Sequence, residues 1–142
     1  MHTLPEATKV LVAEAIAAAE RKTSAEVKVI VLRYCWTDIR NKAQALFTKH
    51  ELQVTEDRNA VMILLVLANR EFLVYGDKGI HERVEKGFWL TVRDAMQEEF
   101  RAGRLPEGLC AGIFQIGEQL AEYFPRVEDD VNELSDEVVH ED

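Results

Sequence analysis

Two apolar runs separated by a short polar break constrain this chain more than anything else in it. Val61 to Leu67 is continuously apolar, Asn69-Arg70-Glu71 interrupts it, and Phe72 to Tyr75 resumes before Gly76-Asp77-Lys78-Gly79. Short runs bounded by turn-forming residues read as two strands of an antiparallel hairpin, Val61 to Leu67 and Phe72 to Gly76. Such a hairpin returns the chain to its starting edge, so Asp57 and Asp77 stand at the same end. The first strand is apolar on both faces, which requires helices on both sides of its sheet.

The remaining elements follow from periodicity. Thr3-Leu4-Pro5-Glu6 has the form of a capping box with proline in the first turn, so a helix is expected to start near Thr3. Val12, Ala15, Ile16 and Ala19 give it an apolar stripe, and Thr23-Ser24 breaks it. Glu26 to Leu32 alternates and is rich in valine and isoleucine, the pattern of a strand. A second helix begins at Thr37 or Asp38 and buries Ala43, Leu46 and Phe47.

After the hairpin, Ile80 to Lys86 forms a short helix that Gly87 interrupts. Phe88, Trp89, Val92, Met96 and Phe100 line a longer helix ending near Gly103, a left-handed cap position. Pro106 opens the last helix, where Leu109, Ile113, Ile116, Leu120 and Phe124 recur at helical steps. Strand–helix–strand units cross over right-handed and lay their strands parallel. The expected fold is an α/β three-layer α/β/α sandwich, with a small mixed sheet and helices on both faces. Residues 1–126 form that domain.

Composition bounds function. The chain has 142 residues and a net charge of −9, but its last sixteen residues carry eight acidic groups and no lysine or arginine. Without them the body is left at −1. Residues 127–142 therefore read as an acidic, solvated and disordered tail. A nearly neutral body with an acidic appendage does not provide the phosphate neutralisation that nucleic-acid binding needs. Cys35 and Cys110 are too few for a disulfide framework and read as reduced thiols. No window reaches the ~20 apolar residues of a membrane span. The N-terminus lacks the form of a signal peptide, so a cytoplasmic location is expected.

The chemistry-bearing residues gather at one place. The first two strands start at one edge of the sheet and the third ends there, which brings Glu26, Asp57 and Asp77 to a common loop-bearing rim. Carboxylates beside a glycine loop suit a hard cation: calcium takes six to eight oxygens, and magnesium keeps more of its waters. Asp57 and Asp77 lead that reading; Asn59 and loop carbonyls would complete the shell, and Glu26 and Glu82 are weaker members. The competing reading makes Asp57 and Asp77 caps of the turn and helix that they adjoin.

The Gly76-Asp77-Lys78-Gly79 loop would present amides and Lys78 to a phosphate, but it lacks the ending of a Walker loop. His81 is a candidate general acid and otherwise a surface histidine. Cys35 and Arg40 miss the spacing of a cysteine phosphatase, so Cys35 reads as structural.

Several stretches together resemble the TPM domain family across roughly residues 5 to 125. TSAEVKVIV is similar to the family's TSGEI.V.V, and DRNAVMILLVL to its DRNGVLILV. GDKGIHERVEKGFW resembles the GDKGIHEKV…FW of one bacterial branch, and FRAGRLPEGLCAGIFQIGEQLAEYFP matches the closing helical pair. The resemblance implies an α/β/α fold, calcium or another divalent ion near the strand-edge acids in some members, and acid-phosphatase activity in some. The chain departs from the pattern at Ala25 and Ala60, where the family favours glycine. Those alanines stiffen loops beside the rim.

The sequence thus points to a divalent-cation-binding TPM domain, with calcium first and magnesium or another ion as the alternative. Weak phosphomonoesterase activity on a phosphate ester would accompany it, although no nucleophile is evident. The competing reading is a non-catalytic interaction module supporting a protein or membrane complex, which predicts an exposed apolar or aromatic patch.

Overall fold

The computed structural model describes residues 3–126 and 136–141. Among them a four-stranded sheet has the order β3-β2-β1-β4. The chain runs α1 (Glu6–Glu20), β1 (Glu26–Leu32), α2 (Ile39–Lys49), a 3-10 turn (Leu52–Val54), β2 (Ala60–Val66) and β3 (Glu71–Gly76). Then follow α3 (Lys78–Arg83), α4 (Gly87–Arg101), α5 (Leu105–Tyr123) and β4 (Val139–His140).

β1 and β2 pair in parallel from Glu26↔Ala60 to Leu32↔Val66. β2 and β3 pair antiparallel from Val61↔Gly76 to Val66↔Glu71. Every residue of β1 and β2 is buried, because side chains alternate between faces that are both covered. On one face Val27, Val29, Val31, Val61, Ile63 and Leu65 meet Val12 and Ile16 of α1, Val92 and Met96 of α4, and Ile113 and Ile116 of α5. On the other, Ile30, Leu32, Met62 and Leu64 meet Ala43, Leu46 and Phe47 of α2 and the nearby Leu52. This is the three-layer sandwich expected from the sequence. Truncating any of the large aliphatic residues in these layers to alanine would cost ~2–5 kcal/mol, the transfer and cavity terms together.

The starts of α1 and of the C-terminal segment differ from expectation. Pro5 is the N-cap of α1 and no side chain caps it, so the Thr3 capping box does not form; the proline brings the chain into the helix instead. Asp38 caps α2 as expected, accepting from the Arg40 amide at 2.8 Å. Gly103 takes the left-handed conformation after α4, with φ of 77°.

The second difference is β4, which pairs in parallel with β1 through Ile30↔Val139 and Val31↔His140. For residues 136–141 this corrects the expectation of a solvated tail: Val138 and Val139 pack against opposite faces of the sheet. Residues 127–135 and 142 of that expected tail lie outside the described residues.

Candidate functional site

The rim forms where β1 and β2 begin and β3 ends, and backbone hydrogen bonds draw its loops together. Glu26 donates to the Asn59 carbonyl at 3.3 Å, Asp77 to the Ala60 carbonyl at 3.0 Å, and Gly79 to the Arg58 carbonyl at 2.9 Å. Asp57-Arg58-Asn59 is thereby laid against Asp77-Lys78-Gly79. A Cβ on Gly79 would collide with the carbonyl oxygens of Asp57 and Arg58. Glycine is required there by close approach of two backbones.

Arg58, which the sequence reading passed over, organises the rim. Its Nε donates to Asp77 Oδ2 at 2.6 Å and its Nη2 to Asp77 Oδ1 at 2.7 Å. Oδ1 also accepts from the Lys78 amide at 2.7 Å, capping α3. Asp77 is 5% exposed, so this is a bidentate, charge-assisted pair largely withdrawn from water. The hydrogen bond to Asp77 pushes the Arg58 pKa further up. Arg58 holds a left-handed backbone, φ 51°, a conformation that costs a non-glycine residue about 1 kcal/mol or more. The ion pair and the Gly79 amide hold it there.

The structure brings Asp57, Asn59, Asp77 and Lys78 into one neighbourhood, but their side chains play different parts. Asp57 and Lys78 are exposed. Asn59 is buried; its amide donates to Thr55 Oγ1 at 3.2 Å and its Nδ2 to Ser24 Oγ at 3.4 Å. Glu82 is exposed on α3. His81 lies against the Trp89 ring, centroids 5.0 Å apart, so its ring is engaged by packing. Cys35 donates its Sγ–H to the Thr37 carbonyl at 3.2 Å, as a structural thiol does.

Glu26 is 3% exposed at the start of β1, and its negative charge acts on Glu20. Burial, a hydrogen bond to Asp136 and the negative charge of Glu26 push the Glu20 carboxyl up to about 10, against the lowering effect of the Val27 amide. That amide donates to Glu20 Oε2 at 2.9 Å. Glu20 therefore carries its proton at neutral pH.

Calcium is the ion the rim was expected to hold, and the donors as arranged do not form its shell. Both oxygens of Asp77 are committed to Arg58 and the start of α3. Among the described residues no three His, Cys, Asp or Glu side chains gather in a geometry that could hold a metal. A calcium ion needs six to eight oxygens, and Arg58 would have to leave before Asp77 could contribute.

The opposite end of the sheet presents a different surface. The loop from β1 to α2 is tied to the β2–β3 turn: Leu67 donates to the Leu32 carbonyl and Ala68 to the Arg33 carbonyl, both at 2.9 Å. On that loop Trp36 is 90% exposed and Tyr34 43%. Their rings stack with centroids 5.7 Å apart and planes inclined by 18°. Arg33, Asp38 and Arg40, near them in sequence, are exposed, as are Arg70 and Glu71 at the β2–β3 turn. The cue in the sequence was the aromatic spacing of Tyr34 and Trp36 between a strand and a helix cap.

A mixed sheet between α1, α4 and α5 on one side and α2 on the other defines a small three-layer α/β/α protein. The TPM domain model matches residues 1–119, and the chain belongs to the TPM domain family. Among solved structures it is similar to the BA42 protein of the psychrophilic bacterium Bizionia argentinensis, with 33% identity and a TM-score of 0.93. That match covers 97% of this chain and 95% of the other. The N-terminal domain of a P. gingivalis protein shares the fold at 21% identity and a TM-score of 0.66, covering 85% of this chain and 78% of that one. So does the N-terminal domain of the cg2496 protein of Corynebacterium glutamicum, at 11% identity, a TM-score of 0.66, and coverage of 82% and 74%. No curated protein sequence matches. Among the described residues no helix is long and apolar enough to cross a membrane.

Proposed function

We propose that this TPM domain is a non-catalytic interaction module, supporting assembly of a protein or membrane complex through its Tyr34–Trp36 face. The observation that carries this reading is Trp36 itself, 90% exposed and stacked on Tyr34. A large aromatic side chain buries ~150–250 Å2 when it finds a partner, and tryptophan and tyrosine dominate interface energetics. Here they sit on a loop tied by backbone hydrogen bonds to a rigid hairpin, so little ordering cost attends docking.

The test compares Trp36→Ala with Asp57→Asn. Co-sedimentation with vesicles of phosphatidylcholine and phosphatidylglycerol follows membrane engagement without relying on the replaced tryptophan. Cross-linking from position 38, exposed on the same loop, follows the protein partner in intact cells. Loss of engagement in Trp36→Ala with full engagement in Asp57→Asn supports the reading; loss in Asp57→Asn alone contradicts it. The cytoplasmic location belongs to the same proposal, and cell fractionation tests it.

A second reading keeps the cation: divalent-ion binding at the rim, with weak phosphatase activity on a phosphate ester. The exposure of both Asp57 and Lys78 at one rim favours it. When bound, the ion would supply Lewis-acid polarisation of a phosphoryl oxygen. Asp57 would then contribute charge and Lys78 would neutralise phosphate. A calcium-specific rise in melting temperature that disappears in Asp57→Asn supports this second reading. No rise in calcium or magnesium removes it.

A further inference from the structure

The outer edge of β1 is covered in two ways, by a side chain near its start and by a two-residue parallel ladder near its end. Near its start, the Glu20 carboxyl accepts the Val27 amide at 2.9 Å. Near its end, β4 pairs with only Ile30 and Val31, and Glu141 donates to the Val31 carbonyl at 3.0 Å. An edge left open would offer its amides and carbonyls to another chain. A two-residue strand is a weak cover by itself, so the side chains of this segment must do much of the holding.

Those side chains follow a readable pattern. Val138 goes to the α1/α4/α5 layer and Val139 to the α2 layer, as alternate residues of an extended chain must. His140 Nε2 accepts the Leu4 amide at 3.1 Å. The Glu141 carboxylate accepts from His50 Nε2 at 2.7 Å and also meets the Lys49 ammonium. Lys28, 7% exposed on β1, feels the negative charges of Glu137 and Asp136. Lys49 of α2 and its C-cap His50 thus hold Glu141 directly, and Lys28 of β1 lies in the field of Glu137 and Asp136, the latter also meeting Glu20.

We infer that the outer edge of β1 is a strand-docking site for an acidic, extended peptide, and that the chain's own C-terminal segment is its resting occupant. Recognition combines parallel backbone pairing at Ile30 and Val31 with two apolar side chains placed on opposite faces. A carboxylate two residues after the second apolar residue engages Lys49 and His50. Backbone pairing supplies affinity and the alternate side chains supply selectivity, as in other strand additions. A tethered occupant competes at an effective concentration on the order of millimolar, so a partner binds when that occupant loosens. This site is separate from the Tyr34–Trp36 face.

The test uses the full chain, wild type and Glu141→Lys, with a fluorescent peptide of residues 136–142 as probe. Hydrogen exchange reports the hold of the segment, and anisotropy reports peptide binding. Glu141→Lys is expected to speed exchange at residues 139–141 at least tenfold and to bind the peptide at least tenfold more tightly than wild type. Adding Lys49→Glu should abolish that gain. Faster exchange without peptide binding overturns the proposal, and so does unchanged exchange. Should Glu141→Lys fail to fold, Glu141→Gln faces both criteria at about threefold.

Discussion

The Arg58 guanidinium and the Asp77 carboxylate close the mouth of the β2–β3 hairpin with two hydrogen bonds of 2.6 and 2.7 Å. This pair explains why an aspartate and an arginine flank the hairpin as they do. Arg58 is 40% exposed at its side chain and Asp77 only 5%. The pair therefore lies between surface ion pairs, worth ~0–1 kcal/mol, and buried ones, whose disruption costs ~3–5 kcal/mol. Asp77→Asn should destabilise the fold by about 1–3 kcal/mol in EDTA, read by urea unfolding. A variant as stable as wild type would show that the pair does not hold the rim.

Gly79→Ala and Gly87→Ala should behave in opposite ways. A Cβ at Gly79 meets backbone carbonyls that cannot turn aside, whereas one at Gly87 meets nothing within 4 Å. Gly79→Ala should cost ~2 kcal/mol or more, in the range of overpacking. Gly87→Ala, at the start of α4, should be neutral or stabilising by up to ~1 kcal/mol. Thermal unfolding of the two variants checks the contrast.

Glu20 gives the molecule a pH signature with a definite sign. Its pKa is raised from 4.5 to about 10, so the folded chain keeps a proton that the unfolded chain releases. Stability from this group is fully present below about 4.5 and is lost as pH rises towards 10. Glu20→Gln retains an acceptor for the Val27 amide and removes the titration. The variant should melt several degrees higher than wild type at pH 8, with the difference shrinking at pH 5. Parallel pH profiles would contradict the assignment.

Glu141 has the opposite sign. Burial raises its pKa, but the hydrogen bonds from Lys49 and His50 outweigh burial and hold it below the usual value. Its contribution is present above about 4.5 and lost as pH falls through the folded value. Glu141→Gln should cost about 1 kcal/mol at pH 7, in the range of one charge-assisted hydrogen bond. The difference from wild type should close as pH falls through the lowered folded value, where the native carboxylate is protonated too. Melting curves of the two proteins across this range decide it.

Trp36→Ala should leave stability within ~0.5 kcal/mol of wild type, because an exposed side chain has no packing to lose. A large loss in calorimetry would place Trp36 in the fold instead of at an interface.

The sheet was legible because its strands are long, apolar and bounded by glycine or polar turns. β1 matches the alternating Glu26 to Leu32 run, and β2 and β3 fall within one residue of the two apolar segments. The rim followed from topology, so Asp57 and Asp77 were placed correctly at one end. Arg58 escaped because nothing local marks a left-handed arginine; its partner lies 19 residues away. The signal was register: residues just outside a hairpin's paired strands face each other, and here they have opposite charge. β4 escaped because two residues carry no period, and its cover depends on contacts with Leu4, Lys49 and His50 that no local pattern reports. Trp36 was visible as a residue, but its exposure is set by the loop's tether to the β2–β3 turn.

The central claim is that Asp77 belongs structurally to Arg58, and a double-mutant cycle of Arg58→Gln and Asp77→Asn tests it most directly. Unfolding free energies are measured in EDTA and again in millimolar calcium. The account predicts that the two losses are clearly non-additive, as for contacting partners, without metal and to the same extent with it. Additive losses in EDTA, together with calcium stabilisation of wild type that Asp77→Asn abolishes, would contradict it and make the rim an ion site.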